Sequence, residues 1–422
     1  MEVVSPMSSL DVMNKGNLSN MDVLVTDGDQ RATVAVVRSL GRKGLRVVVG
    51  EQRDKSLAGC SRFCSGRFTY PSPASDPIGF QRTLLEHIKT NRYKLLIPMT
   101  DLVCTLVAEI VEQLRPLLSV GMPEGGAYFH ASDKGELLKL AQSHDIPVPA
   151  TLFPNDISQL EALTADLDYP VVIKARRSRL QVGSIMAHGR VEYAHSREEL
   201  IAKFARSHAN IPSPIVQERI KGPGCGLFAL CVRGEPLALF AHRRLREKPP
   251  SGGVSVLRES APLDDSLCTY SRKLLKALNW TGVAMVEFKM DERDNTPKLM
   301  EINGRFWGSL QLAIDSGMDF PHWLYQISQG ETPSCPDSYR VGVRTRWFLG
   351  DVDHLLSIWL HRRKMLSLPR DYPGRIPVLW DFIKETWSSS KNEMWDTDDL
   401  GPARREVIDY LFSAIKQLRR RL

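Results

Sequence analysis

Short apolar runs and amphipathic stretches alternate in the first part of the chain. The runs "MDVLVTDG" and "LRVVVG" predict buried strands, and "RATVAVVRSLGRKG" between them predicts a helix closed by Gly44. A strand, a helix and a second strand in this order start a parallel sheet with right-handed crossovers. A helix over 77–90, the strand "KLLIP" and a helix over 103–117 follow. We therefore expect an α/β, doubly wound, Rossmann-like domain over residues 21–122.

The middle of the chain changes to short strands joined by turns. A helix that starts at "SDK", with Ser132 or Asp133 as its cap and Lys134 in its first turn, precedes a proline-rich linker. The linker leads to the apolar segments "YPVVIKA", "PIVQERI", "GLFALCVRG", "GVAMVEFKMD" and "KLMEING". Such segments predict an α+β domain built around an antiparallel sheet, over residues 123–332. One hairpin is expected to turn at Arg233–Gly234–Glu235, and "REKPPSGGVSVLRES" is expected to be a loop. Residues 333–422 are expected to form a mostly helical C-terminal extension.

The ends of the chain and its cysteines bear on location. Residues 1–20 are polar and without periodicity, so we expect a disordered leader, with Met21 as an alternative start. No apolar run reaches the ~20 residues that span a bilayer. The seven cysteines lack the paired spacing of a disulfide framework or a zinc site. We expect a cytoplasmic protein without a membrane partner.

The net charge of the chain does not point to a particular class of binding partner. The net charge is +7, and part of it lies in the tail "KQLRRRL". This tail is either the solvated end of a helix or a segment that binds the phosphate backbone of a nucleic acid, and we favour the first interpretation. We expect no nucleic-acid partner, and a homodimer is the base-rate expectation.

The segment "MVEFKMDERDNTPKLMEINGRFWGS" carries the candidate chemistry. Glu287 lies mid-strand between apolar residues, and Glu301, Asn303 and Arg305 alternate along and beyond the next strand. In a strand, every second side chain points to the same face of the sheet. The turn "DERDNTP" is expected to bring Glu287 beside Glu301. Two carboxylates and an amide oxygen suit Mg²⁺ or Mn²⁺, and the arginine suits a phosphoryl group. A turn cap and an Arg305–Glu301 ion pair are the structural alternatives, which this order of four residues disfavours.

The pattern of a strand glutamate followed by Glu-x-Asn-x-Arg resembles the metal-binding signature of the ATP-grasp superfamily. Lys134 in "SDK" and Lys174 in "VVIKA" resemble the family's two phosphate-binding lysines, and "VQERI" resembles its hinge strand. The resemblance implies an ATP-grasp fold behind an N-terminal pre-grasp domain. It also implies that Glu218 accepts from the adenine amino group and that Ile220 binds adenine through its backbone.

The resemblance further implies how the acidic pair works. Glu287 and Glu301 would bind ATP through metal ions that Asn303 helps to hold, with ATP and Mg²⁺ or Mn²⁺ as cofactors. Arg305 and Lys174 are the expected catalytic residues, because they would neutralise charge on the transferring phosphoryl group.

The chain departs from the family pattern at two places. The loop "RRSRLQVGS" contains only Gly183 where the family is usually glycine-rich, so Arg176, Arg177 and Arg179 would compensate by charge. Cys225 stands where the family often has an acidic residue for the ribose hydroxyls, and a thiol cannot make the same bonds.

Two arginine-containing segments are candidates for the acceptor side. In "PPSGGVSVLRES", Gly252 and Gly253 permit close backbone approach and Arg258 would clamp a substrate carboxylate; a hairpin connection with a surface arginine is the alternative. The segment "RVGVRTRWFLGD" offers either a further anion contact or arginines stacked on aromatic rings.

The resemblance implies an ATP-dependent carboxylate–amine ligase, acting on a small-molecule carboxylate and amine through an acyl phosphate. One alternative is a carboxyphosphate-forming enzyme similar to half of carbamoyl phosphate synthase or to biotin carboxylase. Another is a nucleotide-binding module without turnover, and a nucleic-acid binder ranks last.

Overall fold

A computed structural model describes residues 21–164, 167–182, 185–189, 191–208, 214–250, 252–363, 365–366, 368 and 372–419. The predicted leader, residues 1–20, lies outside the described residues.

The helices are α1 (Arg31–Arg42), α2 (Pro77–Thr90), α3 (Asp101–Glu109), α4 (Val111–Leu114), α5 (Gly125–Ser132), α6 (Lys134–Ser143), α7 (Ile157–Leu163), α8 (Arg197–His208), α9 (Asp265–Ala277), α10 (Leu310–Asp315), α11 (Phe320–Ser328), α12 (Phe348–Leu360), α13 (Arg375–Thr386) and α14 (Gly401–Arg419), with a 3₁₀ turn at Ala58–Cys60. The strands are β1 (Val23–Val25), β2 (Val47–Glu51), β3 (Cys64–Thr69), β4 (Leu95–Ile97), β5 (Ser119–Val120), β6 (Thr151–Leu152), β7 (Val171–Lys174), β8 (Arg179–Val182), β9 (Ile185–His188), β10 (Val191–Ala194), β11 (Ile215–Glu218), β12 (Gly224–Val232), β13 (Glu235–Lys248), β14 (Val254–Ala261), β15 (Gly282–Met290), β16 (Pro297–Asn303), β17 (Arg344–Arg346) and β18 (Lys391–Asn392).

The first part of the chain folds around a parallel five-stranded sheet in the order β3–β2–β1–β4–β5. Side chains of β1 alternate between its two faces: Val23 and Val25 pack with α1, whereas Leu24 packs with α2 and α3. Both faces are therefore covered, which is why these strands are continuous apolar runs. The doubly wound, parallel arrangement predicted from the sequence is confirmed.

Two antiparallel sheets follow, and the candidate site lies between them. The smaller sheet has four strands in the order β10–β7–β11–β6, and β8 and β9 form a separate hairpin beside it. The larger sheet has seven strands in the order β16–β15–β12–β13–β14–β17–β18. Helix α9 covers part of the larger sheet, where its apolar face packs on β12 and β15.

The predicted hairpin between β12 and β13 is confirmed. Val232 pairs with Glu235, so the turn consists of Arg233 and Gly234, with φ angles of 51° and 81°. A two-residue turn with both φ angles positive matches the twist of the strands that it joins.

The predicted loop over "REKPPSGGVSVLRES" is wrong. Strand β13 extends to Lys248 and β14 begins at Val254, so only residues 249–253 form the connection. Strand β14 pairs with β13 and β17 on its two edges, and its polar side chains are buried. Tertiary pairing therefore overrides the turn-like composition of this segment.

The last part of the chain is mostly helical, as predicted, with α12, α13 and α14. It also contributes two strands to the larger sheet: β17 pairs antiparallel with β14, and β18 pairs parallel with β17. Within the described residues, no helix combines the length and apolar character needed to cross a membrane.

Candidate active site

Glu287 of β15 and Glu301 of β16 lie directly opposite each other. In the same register, Asn303 faces Met285. The register shifts after Glu287, and this bulge leaves Met300 without a partner on β15. The Asn303 amide donates to the Glu287 carboxylate at 3.1 Å. The alternation predicted from the sequence therefore brings the two carboxylates and the amide together.

The two carboxylates have opposite electrostatic surroundings. Burial and the charge of Glu301 raise the pKa of Glu287, although Arg244 contacts it at 3.3 Å and opposes the shift. Burial also acts to raise the pKa of Glu301, but Lys134, 3.1 Å away, outweighs it, so the pKa of Glu301 lies below its ordinary value. The negative charge of the pair is therefore less well compensated at Glu287 than at Glu301.

Lys134 is placed by the start of α6. The Asp133 carboxylate caps this helix, accepting from the backbone N–H groups of Gly135 at 2.9 Å and Glu136 at 3.2 Å. Of the two caps that the sequence offers, the structure uses Asp133 and not Ser132. The Lys134 ammonium then reaches Glu301 and donates to the Ser178 hydroxyl at 3.2 Å.

Lys174 is the last residue of β7, opposite Glu287 and Glu301 across the cavity that they line. Its ammonium donates to the Gln217 amide oxygen at 2.8 Å. Burial, reinforced by the positive charge of Lys134, lowers the pKa of Lys174 to about 8. An ammonium held in this way gains stability from any anion that enters the cavity.

Arg305 is oriented by the first domain. Its Nε and Nη2 donate to the two carboxylate oxygens of Asp101, at 2.7 and 2.9 Å, and its Nη2 also lies 3.4 Å from the Asn303 amide oxygen. Asp101 follows Thr100, whose hydroxyl caps α3 at the carboxyl end of β4. Sequence reasoning missed Asp101, although residues after parallel strands are where such folds bind ligands.

One cavity of about 430 Å³ collects the predicted residues. It is lined by Lys134, Lys174, Glu287, Glu301, Asn303 and Arg305. Arg244 and Lys289 also line it and were missed, although Lys289 lies two residues after Glu287, where a strand places side chains on the same face. Arg244 belongs to the polar run "HRRLREK" of β13, whose spacing alone does not identify a site.

Glu218 and Ile220 are not among the described residues that line this cavity. The Glu218 carboxylate accepts from the Ala150 N–H at 2.9 Å and pairs with Arg293 at 2.9 Å. The buried Ile220 accepts a hydrogen bond from Lys289 through its carbonyl oxygen, at 3.3 Å. Ile220 is thus linked to the cavity through Lys289.

The arginines after β7 have different partners. Arg176 pairs with Asp133 at 2.9 Å and with Glu136 at 3.1 Å, so it supports the start of α6. Arg177 lines the cavity, and Arg179 lines an adjoining one beside Glu301. Gly183 lies outside the described residues.

Cys225 lies on β12 directly after Gly224, which lines the cavity. The thiol is half-buried, and burial raises its pKa to about 11. A neutral thiol offers no acceptor comparable to a carboxylate for ribose hydroxyls.

The predicted substrate clamp at Arg258 is wrong. Arg258 is fully buried within β14, its guanidinium contacts the buried carboxylate of Glu393, and it donates to the Ser255 carbonyl oxygen at 2.9 Å. Gly252 and Gly253 lie at the exposed tip of the β13–β14 hairpin, where Gly252 has a φ of 120°. A Cβ at Gly253 would lie 2.4 Å from the Lys248 carbonyl oxygen, so glycine is required by the turn itself.

The arginines of "RVGVRTRWFLGD" serve packing. Arg346 lies over the rings of Phe348 and Phe382, at 5.2 and 4.3 Å from their centroids, and pairs with Asp351 at 2.6 Å. Arg344 pairs with Glu259 at 2.6 Å. Of the two interpretations of this segment, the structure supports stacked arginines for Arg346.

Two comparisons, with protein-family models and with solved structures, found proteins that agree with this geometry. Residues 210–349 match the family model described as ATP-grasp in the biosynthetic pathway with Ter operon. Biotin carboxylase from Campylobacter jejuni is similar in structure, with a TM-score of 0.62 and 14% identity over 78% of this chain and 75% of that one. No curated protein was found to match the sequence.

Two further solved structures share the fold. An L-amino acid ligase from Bacillus licheniformis has a TM-score of 0.56 and 16% identity, over 74% of each chain. An N5-carboxyaminoimidazole synthetase from Staphylococcus aureus has a TM-score of 0.59 and 14% identity, over 79% of this chain and 83% of that one. Residues 210–349 thus match an ATP-grasp family model, and the similarity to the solved structures shows that the chain has the ATP-grasp fold.

Proposed function

We propose that this chain is an ATP-dependent carboxylate–amine ligase that forms an amide through an acyl phosphate, with release of ADP and phosphate. One observation carries the proposal. Side chains from four separate parts of the chain line a single cavity between two sheets: Lys134, Lys174, Glu287, and the segment that carries Glu301, Asn303 and Arg305. A charge arrangement of this kind suits a nucleoside triphosphate, whose phosphates need several fixed cations.

The lysines are assigned to the phosphates. The lowered pKa of Lys174 reflects an ammonium without enough negative charge around it, which bound phosphates would supply. Lys134 already lies 3.1 Å from Glu301 and reaches the same cavity from α6. Recognition of adenine by Glu218 and Ile220 stays a prediction, and for Glu218 it requires that Arg293 be displaced from one carboxylate oxygen.

Glu287, Glu301 and Asn303 fit the Mg²⁺ that the family implies. Their donor set is two carboxylates and an amide oxygen, which is hard-oxygen chemistry. Burial and the charge of Glu301 raise the pKa of Glu287, and a divalent cation at this position would stabilise its carboxylate form. When bound, the metal would neutralise charge on the phosphates.

Arg305 is assigned to the transferring phosphoryl group. It lies at the boundary between the nucleotide cavity and a larger neighbouring cavity, and Asp101 fixes its orientation. A substrate carboxylate oxygen attacks the γ-phosphorus, the bond to the bridging oxygen breaks, and ADP leaves. An amine then attacks the acyl carbon, phosphate leaves, and the amine loses a proton. The chain supplies position and charge and forms no covalent bond to the substrates.

Two alternatives keep different parts of this scheme. A carboxyphosphate-forming enzyme would use bicarbonate as the acceptor. A nucleotide-binding module without turnover is favoured by Cys225 at the expected ribose position and by the occupied carboxylate of Glu218.

The test is release of ADP and phosphate from Mg·ATP in the presence of pools of amino acids, other carboxylates, amines and bicarbonate. Glu301→Gln removes a candidate metal ligand, and Glu235→Gln, on an exposed carboxylate of the same sheet, is the matched control. We expect release that needs a carboxylate together with an amine and is lost only in Glu301→Gln. Release with bicarbonate alone would move the assignment to carboxyphosphate chemistry, and tight ATP binding without release would favour the non-catalytic module.

A further inference from the structure

A second cavity, of about 990 Å³, lies next to the candidate active site and shares Arg305 with it. Three parts of the chain build its walls: the start of α1 with Arg31, the tip of the β13–β14 hairpin with Lys248 and Val254, and helices α12 and α14. Organic ligands occupy pockets of roughly 300–1,000 Å³. The position beside Arg305 is where the acceptor of a phosphoryl group has to lie.

Trp347 organises the cationic part of this cavity. The guanidinium of Arg31 lies 3.9 Å from its ring centroid, and the ammonium of Lys248 lies 5.3 Å from it. The indole N–H donates to the Glu406 carboxylate at 2.7 Å, which fixes the ring. Arg31 and Arg305 both line this cavity, and Gly308, three residues after Arg305, lies beside Arg31, because a Cβ at Gly308 would be 3.7 Å from the Arg31 Nη2.

The charge around Arg31 is set by buried neighbours. Both Arg31 and the fully buried Arg258 contact the Glu393 carboxylate, so two guanidinium groups share one carboxylate. Glu406 adds a negative charge nearby, and burial raises the pKa of that carboxyl. Burial lowers the pKa of Arg31 to about 10, so the group is still a cation at neutral pH.

Helix α12 gives the same cavity an apolar wall. Leu349, Leu356 and Leu360 line it from one face of the helix, together with Val254. Leu356 is 42% exposed and Leu360 is 71% exposed, so both present apolar surface that is not used in packing. Exposed apolar side chains that line a concave surface beside fixed charges are typical of a ligand site.

Ion pairs hold these walls together. Arg53 bridges Asp29 of the first domain and Asp409 of α14, at 2.8 Å to each. The Tyr410 hydroxyl donates to Asp353 of α12 at 2.6 Å, and Lys248 pairs with the same carboxylate. These contacts fix the walls of the cavity relative to one another.

We propose that this cavity is the acceptor site and that it binds an organic carboxylate with an apolar body. The carboxylate lies at the end formed by Arg31 and Arg305, and the apolar body lies along Leu349, Leu356 and Val254. This inference rests on the proposed function, and it makes the C-terminal extension, residues 333–422, the element that selects the substrate. Bicarbonate is too small to fill such a cavity, and it has no apolar part that could contact the apolar wall.

The test uses the full chain and two leucine variants. Leu356→Glu places a charge in the apolar wall, whereas Leu411→Glu makes the same change at an exposed leucine of α14 that does not line the cavity. The probes are acetate, leucine, phenylalanine, phenylacetate and bicarbonate. Each is tested for ADP release with hydroxylamine as the amine, and for calorimetric binding in the presence of a non-hydrolysable ATP analogue.

We expect the probes with an apolar body to bind and to support ADP release, and acetate and bicarbonate to do neither. Leu356→Glu should raise the KM and Kd for these probes by at least about tenfold, the scale of a lost apolar contact in a specificity pocket. The KM for ATP should not change, and Leu411→Glu should behave as the unchanged chain. Binding of these probes without ADP release would contradict the proposed ligase function but still support the cavity as a carboxylate site. ADP release with equal constants in both variants, or no binding of any probe, would overturn the inference.

Discussion

Asp101 binds Arg305 through both carboxylate oxygens, at 2.7 and 2.9 Å, across a sequence separation of 204 residues. The carboxylate belongs to the start of α3 in the first domain, and the arginine follows β16 of the larger sheet. The role that we propose for Arg305 therefore requires that the start of α3 and the end of β16 keep this arrangement.

The first prediction concerns this pair. Asp101→Ala should lower kcat by about 10–100-fold, because a displaced catalytic cation loses most of its effect within about 1 Å. The KM for ATP should change little, since Lys134 and Lys174 are the residues that we propose to bind the phosphates. Steady-state kinetics measure both constants, with circular dichroism to check folding. Asp101→Glu keeps the charge and should recover part of kcat; an unchanged kcat in Asp101→Ala would show that Asp101 has no positioning role.

The second prediction concerns the pH dependence of ATP binding. The pKa of Lys174 is lowered to about 8 by burial and Lys134, and bound phosphates favour its ammonium form. Below this pKa the ammonium is present with and without ATP, so affinity is insensitive to this group. Above it, binding must take up a proton, and the affinity should fall by up to about tenfold per pH unit. Calorimetry in buffers of different ionisation enthalpy measures that proton.

Lys174→Arg is the variant that separates this group from others. A guanidinium keeps its charge throughout this range, so the proton uptake should disappear while ATP still binds. Lys276→Arg, at an exposed lysine of α9, is the matched control and should leave the pH profile as it is. Proton uptake that persists in Lys174→Arg would assign it to another residue.

The third prediction concerns Glu287 and the stability of the protein. Because burial and Glu301 raise its pKa, the folded state holds the Glu287 proton more tightly than the unfolded state does. The ionised form of Glu287 therefore lowers the free energy of unfolding at neutral pH. This loss of stability develops as the pH rises from the pKa of Glu287 in the unfolded state to its higher pKa in the folded state. Glu287→Gln should raise the melting temperature without metal, by about 1 °C for each kcal/mol gained in a chain of 422 residues.

Glu287→Gln should also remove the effect of Mg²⁺ on ADP binding. Binding of ADP to the unchanged chain should strengthen when Mg²⁺ is added, and in Glu287→Gln it should not. Thermal unfolding and ADP titrations with and without Mg²⁺ measure the two effects. Glu235→Gln, on an exposed carboxylate of β13, should show neither effect. A Glu287→Gln variant that melts lower and keeps its Mg²⁺ dependence would contradict both parts.

The fourth prediction concerns Arg258. Arg258→Met should lower the free energy of unfolding by about 3–5 kcal/mol, because removal of one partner of a buried ion pair leaves the other buried charge less compensated. Denaturant unfolding measures this change. Arg272→Met, at an exposed position of α9, should change stability by less than about 0.5 kcal/mol. A stable Arg258→Met variant with a raised KM for the carboxylate would restore the substrate-clamp interpretation.

Much of the candidate site follows from local rules that a sequence contains. The two-residue period of a strand predicted that Glu301 and Asn303 would meet Glu287, and the capping preference of Ser132 or Asp133 predicted where Lys134 would lie. Continuous apolar runs likewise predicted a parallel sheet covered on both faces. Each of these inferences depends on residues that are close in the chain.

Only the tertiary structure decided the partners that come from distant segments. Asp101 meets Arg305, Arg258 meets Glu393, and Arg31 stacks on Trp347, because the packing of whole domains brings these segments together. The polar composition of β14 predicted a loop, but pairing on both of its edges made it a buried strand. Local preference is worth at most about 1 kcal/mol per residue, so long-range pairing and burial determine such segments.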